Sequence, residues 1–326
     1  PAQERLGQGD VAAAAGTRSG PGLMRLALAT GTLLLVAACA GVSPPPGPAP
    51  DSAAPPQGPL RVAQTLQLAG VPVQAEWHLP ASHSGPATGL VTLQHGFSRQ
   101  CSHLRGTARA LAEAGVATLC LEASMAGGNP ALARDFAALL AAPDFAPPGR
   151  PRPARIVVAG FSAGAHFAVV LGAQLVELVP GQVAGAVLLD PVAARGFEQP
   201  LQRLAGQGSR PVLSIAAQAG GCNARHNAHP ALRRLREASQ GFAGVVFGEG
   251  STHMDAEGED TDLVAYLACG RQWPQARIVA PLRELAACWV RGMLDARAAA
   301  ADAADGAPGR GCAQALLDNG TVQELR

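Results

Sequence analysis

Apolar positions along the chain fall into two alternating kinds of segment from about residue 60 onward. Residues 60–68 (LRVAQTLQL) and 71–80 (VPVQAEWHLP) alternate partly in a period of two and are separated by Ala69-Gly70, the pattern of a hairpin. Near-continuous apolar runs follow at 88–97 (TGLVTLQHGF), 116–122 (VATLCLE), 154–161 (ARIVVAGF), 183–190 (VAGAVLLD), 211–218 (PVLSIAAQ) and 242–250 (FAGVVFGEG), the last predicted strand. Helical spacing separates them. Residues 102–115 carry Leu104, Ala108, Leu111 and Ala112 on one face and stop at Gly115. Residues 129–142 open with Asn129 as N-cap and Pro130 at the first helical position. Residues 163–178 and 229–239 are two more helices, the second with Leu232 and Leu235 inward and arginines outward; 259–270 and 275–298 predict another two. Strands that are apolar at every position, with helices between them, imply a parallel sheet covered on both faces. About five to six such strands run in one series without internal repeat, so residues 60–326 are expected to form a single α/β domain.

The chain before residue 60 has a different pattern. Residues 1–23 show no hydrophobic period, and read as disordered or as lying upstream of the true start. From Met24 the sequence gives one arginine, an apolar run and small residues, the layout of a secretory signal over 24–39. The run is shorter than the ~18 to 20 residues of a spanning helix. It ends in VAAC, which resembles the bacterial lipobox and makes Cys39 the expected lipidation site. Residues 40–59 are dense in proline and glycine and read as a semi-extended tether. The expected location is the bacterial cell envelope, lipid-anchored on the periplasmic side, or outside the cell.

Composition adds two constraints. The 326 residues carry a formal charge of +1 with no run of basic residues, which argues against nucleic acid as a partner. With Cys39 set aside, six of the seven cysteines remain: Cys101, Cys120, Cys222, Cys269, Cys288 and Cys312. An even number in an exported chain points to disulfides, and no CxxC pair suggests a zinc site. Buried free thiols are the alternative, for Cys120 above all.

The chemistry is concentrated where the strand 154–161 meets the helix 163–178. Gly160-Phe161-Ser162-Ala163-Gly164 is a G-x-S-x-G turn between strand and helix, which holds the serine strained and exposed at the end of a parallel strand. Serine needs a base, and in this arrangement base and acid follow it in the order Ser, acid, His. Of the eight histidines, His253 follows the last predicted strand and meets that order. His78, His83, His95 and His103 precede the serine; His166 reads as a packing histidine. His226 and His229 suit surface or capping roles, and are too few for a metal site. The loop after 211–218 (AGGCNARHN) offers no acid, whereas Asp190 closes the preceding strand at the correct edge. Asp190 is therefore the expected acid, with a cap before Pro191 as the alternative; Asp255 and Glu257 stand too close to His253 in sequence. Two backbone N–H groups are needed for an oxyanion. Ala163, after the serine, supplies one, and Phe97, in the glycine turn QHGFS, the other; the Phe97 ring can also wall a pocket.

With LQHGF, GFSAG, LLDPV and STHMD in this order, the chain from about Gly58 to Cys312 resembles the α/β-hydrolase superfamily, within it the chlorophyllase and polyester-hydrolase (cutinase-like) group. In chlorophyllases an Asp-Pro-Val segment carries the triad acid, which Asp190 matches. Phe161 and Ala163 stand where that group has His and Arg, and SRQCSHL replaces its aromatic-rich segment, so chlorophyll is not implied. The resemblance implies an α/β-hydrolase fold and cofactor-free hydrolysis of a small or polymeric carboxylic ester by a monomer. It also implies a C-terminal disulfide, which would suit Cys288 and Cys312. Cys101 with Cys120, and Cys222 with Cys269, lie near common sheet edges, although sequence alone leaves connectivity open. The other readings are a non-catalytic, envelope-anchored ligand-binding protein on the same fold, and a thioesterase or peptidase.

Overall fold

A computed structural model describes residues 58–81, 89–239, 241–295 and 309–326. Residues 1–57, which include the signal reading, Cys39 and nearly all of the tether, lie outside them, as does His83. The first two strands, β1 (Leu60–Leu68) and β2 (Val71–Leu79), form the expected hairpin with Leu68 opposite Val71. Its two-residue turn places both Ala69 (φ 50°) and Gly70 (φ 81°) in the left-handed region, the turn that matches the twist of paired strands.

The remaining strands are β3 (Gly89–Gln94), β4 (Ala117–Leu121), β5 (Arg155–Phe161), β6 (Val183–Leu189), β7 (Val212–Ala216), β8 (Gly244–Phe247) and β9 (Val322–Glu324). They join one sheet in the order β1-β2-β4-β3-β5-β6-β7-β8-β9. β4, β3, β5, β6, β7 and β8 run parallel; β2 and β9 flank them antiparallel. β9 was not expected: three residues carry too little pattern to read, and only pairing with β8 makes them a strand.

Helices α1 (Arg105–Glu113), α2 (Pro130–Ala141), α3 (Ala163–Leu178), α4 (Glu198–Ala205), α5 (His229–Ser239), α6 (Leu263–Ala268), α7 (Ala276–Leu294) and α8 (Arg310–Asp318) cover the sheet. Successive strand residues feed opposite faces, as a doubly covered sheet requires. Leu90 and Val158 pack with Phe136 of α2, Phe167 of α3 and Leu201 of α4. Val91 and Val157 pack with Leu111 of α1 and Trp289 of α7. Asn129 caps α2 by accepting the Leu132 N–H, as its position predicts. The helix expected over 102–115 begins instead as a 3-10 turn, Cys101–Leu104, before α1. α4 was missed because Pro200 interrupts its short pattern; in the first turn of a helix a proline loses no hydrogen bond.

Three disulfides close the structure: Cys101–Cys120, Cys222–Cys269 and Cys288–Cys312. Cys120 is thus not a free thiol. Such bonds fit an oxidising compartment outside the cytosol. No helix among the described residues is long and apolar enough to cross a membrane.

Candidate active site

The turn from β5 into α3 holds Ser162 at φ 57°, ψ −121°, a conformation that costs a non-glycine residue about 1 to 3 kcal/mol. The glycines around it are sterically required. A Cβ at Gly160 would run into the Gly164 carbonyl, and one at Gly164 into the Gln94 and His95 carbonyls. The backbone is pinned by Ser162 N–H to Leu189 O (3.0 Å) and Val192 N–H to Ser162 O (3.2 Å), which tie the turn to the end of β6.

Asp190 stands at that end, also with positive φ (40°), which aspartate tolerates better than most residues. Its N–H donates to Ile215 O at 2.7 Å. After β8, a 3-10 turn His253–Ala256 brings in the imidazole. Thr252 and Asp255 cap each other around this turn: the Thr252 N–H donates to Asp255 Oδ2 at 2.7 Å. The result is a continuous relay. His253 Nε2 lies 3.0 Å from Ser162 Oγ, and His253 Nδ1 lies 2.7 Å from Asp190 Oδ2. All three side chains are buried, with their reactive atoms on one another. Asp190 does not cap the turn before Pro191; its other oxygen, Oδ1, accepts the Ala217 N–H at 3.2 Å.

Two backbone amides remain open beside the serine. Ala163 is the first residue of α3, so its N–H has no partner within the helix. Phe97 follows Gly96, where an added Cβ would lie 3.1 Å from Ser162 Cβ, so the loop runs against the nucleophile. Neither amide has an acceptor among the described residues. The Phe97 ring is 68% exposed. Phe161 lies buried with its ring 4.7 Å from that of His253, because it is the last residue of a strand buried at every position after Arg155.

Several polar residues at the site escaped the sequence reading. The loop after β7 lacks an acid, but its buried Asn223 donates to Asp190 Oδ2 at 3.1 Å and Oδ1 at 3.3 Å, and to Gln218 O at 2.8 Å. Asn223 Oδ1 accepts the Gly220 N–H at 2.8 Å, which fixes the amide's orientation. Nothing in the sequence marks an asparagine among turn residues for this role. Asp255 was visible through its T-x-x-D spacing, the signature of a capping box. Burial raises its pKa to about 6, opposed by the Thr252 hydrogen bonds and reinforced by the nearby Asp190 charge. Asp255 and Asp190 line one small pocket with His253. Glu257 is fully buried and meets Arg99 of the Phe97 loop through two hydrogen bonds.

Among the described residues, no other histidine hydrogen-bonds Ser162. His166 packs edge-on against Phe197 and accepts the Ala194 N–H at 3.2 Å, as a packing histidine would. His78 pairs with Glu76, and His103 with Asp262. His229 is buried rather than on the surface: its ring stacks on His226 with centroids 4.0 Å apart, since α5 begins under the β7 loop. Burial lowers its pKa to about 4, assisted by His226. His95, Cys101 and Glu122 lie close enough to share a metal ion, but Cys101 has its sulfur in a disulfide.

No family model matches the chain, and no curated protein matches it in sequence. Solved structures do match. A dienelactone hydrolase from Anabaena variabilis aligns at TM-score 0.50 and 18% identity, over 72% of this chain and 97% of that one. A thermostable esterase from Pseudomonas putida aligns at TM-score 0.54 and 14% identity, over 73% and 84%. A fungal esterase from Rhizomucor miehei gives 0.53 and 15%, over 74% and 84%. With a nine-stranded, mostly parallel sheet covered by helices, the chain has the α/β-hydrolase fold.

Proposed function

We propose that this protein is a serine carboxylic-ester hydrolase acting through an acyl-enzyme, with Ser162 as nucleophile, His253 as base and Asp190 as acid. The observation that carries the reading is the relay of 3.0 Å and 2.7 Å contacts ending on a serine held at φ 57°. A binding protein would have no use for that backbone strain.

Ser162 Oγ attacks the ester carbonyl carbon as His253 Nε2 takes its proton, and Asp190 stabilises the imidazolium through Nδ1–H. The carbonyl oxygen becomes an oxyanion that accepts from the Ala163 and Phe97 amides. Collapse breaks the bond to the leaving alcohol, which receives the proton from His253 Nε2–H. Water then gives a proton to His253 and attacks the acyl carbon; the second collapse returns that proton to Ser162 and releases the acid. Every step uses side chains and amides of this chain, so no cofactor enters the scheme. The esterase neighbours agree with this chemistry.

Within the fold, the proposal takes the chain into the chlorophyllase and polyester-hydrolase-like group. Asp190-Pro191-Val192 as the acid segment and the Cys288–Cys312 bond support this. It further takes the enzyme to be a monomer tethered to a bacterial envelope through lipidated Cys39; the three disulfides support an oxidising compartment. In cells, a Cys39→Ala variant should leave the detergent phase for the aqueous one, and continued partition into detergent would refute the anchor. The catalytic reading is tested by phenylmethylsulfonyl fluoride, which should label Ser162 alone among the serines, and by matched ester, thioester and amide substrates, of which the ester should be turned over fastest. Absence of label, or preference for the amide, would overturn it.

A further inference from the structure

We propose that Arg99 and Glu257 are positioning residues, whose ion pair holds the loop carrying the Phe97 amide in register with the turn carrying His253. The proposal rests on the esterase reading above. The two loops come from opposite ends of the domain sequence, 158 residues apart, and must converge on Ser162. Arg99 Nε donates to Glu257 Oε1 at 2.7 Å and Nη2 to Oε2 at 2.6 Å, a two-pronged contact that fixes direction as well as distance. The third donor, Nη1, reaches Asp262 Oδ2 at 3.0 Å. His103 Nδ1 accepts the Gln100 N–H, so its Nε2 carries the proton donated to the same Asp262 oxygen at 3.1 Å.

Both sides of the pair lead directly to the site. The Arg99 N–H donates to Gly96 O at 3.2 Å, closing the turn that contains Phe97 and the left-handed Ser98 (φ 55°). The Glu257 N–H donates to Met254 O at 2.9 Å, the end of the turn that His253 begins. Glu257 is fully buried and the Arg99 side chain nearly so. Taking two charges out of water largely cancels their attraction, so such a pair adds little net stability, and setting registry is its better-attested use. Gly96 lies against Ser162, so a shift of this loop shifts the Phe97 amide relative to the developing oxyanion. Misplacement by about 1 Å can cost on the order of 100-fold in rate.

The test is kinetics per reactive serine, titrated with an organophosphonate, on the full chain. The double variant Arg99→Met/Glu257→Met removes both charges together, which a buried site tolerates far better than loss of one. Its kcat on a soluble p-nitrophenyl ester should fall at least ~10-fold with KM within about threefold, and its affinity for a trifluoromethyl ketone should fall in step with kcat. Arg99→Lys keeps the charge but not the two-pronged contact and should fall between. Arg109→Ala, which breaks the exposed Arg109–Glu259 pair nearby, should match wild type. A double variant whose kcat per titrated serine stays within about twofold of wild type, or whose ketone affinity is unchanged, overturns the proposal and leaves the esterase reading standing. A wild-type protein that neither titrates nor hydrolyses overturns both.

Discussion

Replacing Asn223 by aspartate probes the electrostatics behind the proposed acid. The substitution keeps the shape but turns a donor, 3.1 Å from Asp190 Oδ2, into a second carboxyl group. Two unit charges at that distance repel by about 5 kcal/mol at an effective dielectric constant near 20, or about 4 pKa units. The carboxyl introduced at position 223 should therefore keep its proton up to about pH 8 in the folded variant, whereas it ionises near pH 4 in the unfolded chain. The folded state then binds the extra proton, so stability relative to wild type falls as pH rises, by about 1.4 kcal/mol per unit, and levels off above about pH 8. The expected deficit is about 1.5 kcal/mol at pH 5 and about 4 kcal/mol at pH 7, and a domain of this size loses about 2 to 4 °C of Tm per kcal/mol. Activity should survive near neutral pH, where the protonated carboxyl introduced at position 223 still donates to Asp190. The assay is thermal unfolding of both proteins from pH 5 to 9. A Tm difference that does not vary with pH would refute the inferred contact between residue 223 and Asp190.

Three other outcomes follow from particular residues. Asp255 has its pKa raised from 3.8 to about 6, so the folded protein holds that proton more tightly and loses about 2.4 kcal/mol as pH rises from 4 to 7; Asp255→Asn should flatten this part of the stability curve, and an unchanged slope in paired melts would contradict the assignment. Cys222–Cys269 closes a 47-residue separation, worth up to about 4 kcal/mol of chain entropy; Cys222→Ala/Cys269→Ala should lower the midpoint of non-reducing urea unfolding, and an unmoved midpoint would refute it. Gly164→Ala drives a methyl group into the Gln94 and His95 carbonyls and should abolish serine labelling even in whatever fraction folds; wild-type labelling would mean the elbow is not packed as described.

What the sequence made legible was local or followed strand order. The hairpin, the strands and α2 announce themselves through period and capping. The elbow's glycines, and the places of Asp190 and His253 after β6 and β8, follow from counting strands, which was enough to name three residues the structure brings into contact. The three cysteine pairs were candidates from sheet edges and from the resemblance, with connectivity left open until the structure closed them. What stayed hidden depends on contacts with no local sign. Asn223 sits among ordinary turn residues and acquires its role only because the β7 loop folds under Asp190. Arg99 and Glu257 carry no signal until chain closure buries them together. β9 is too short to have a pattern, and exists as a strand only through β8.

Hydrolysis of p-nitrophenyl acetate by wild type and Ser162→Ala, side by side, tests the central claim most directly. Wild type should release p-nitrophenol catalytically. The variant, folded and with the same Tm within a few degrees, should lose at least ~1,000-fold in kcat, the loss expected when a triad nucleophile is removed. Equal turnover by the two proteins, or none by wild type, would contradict the account.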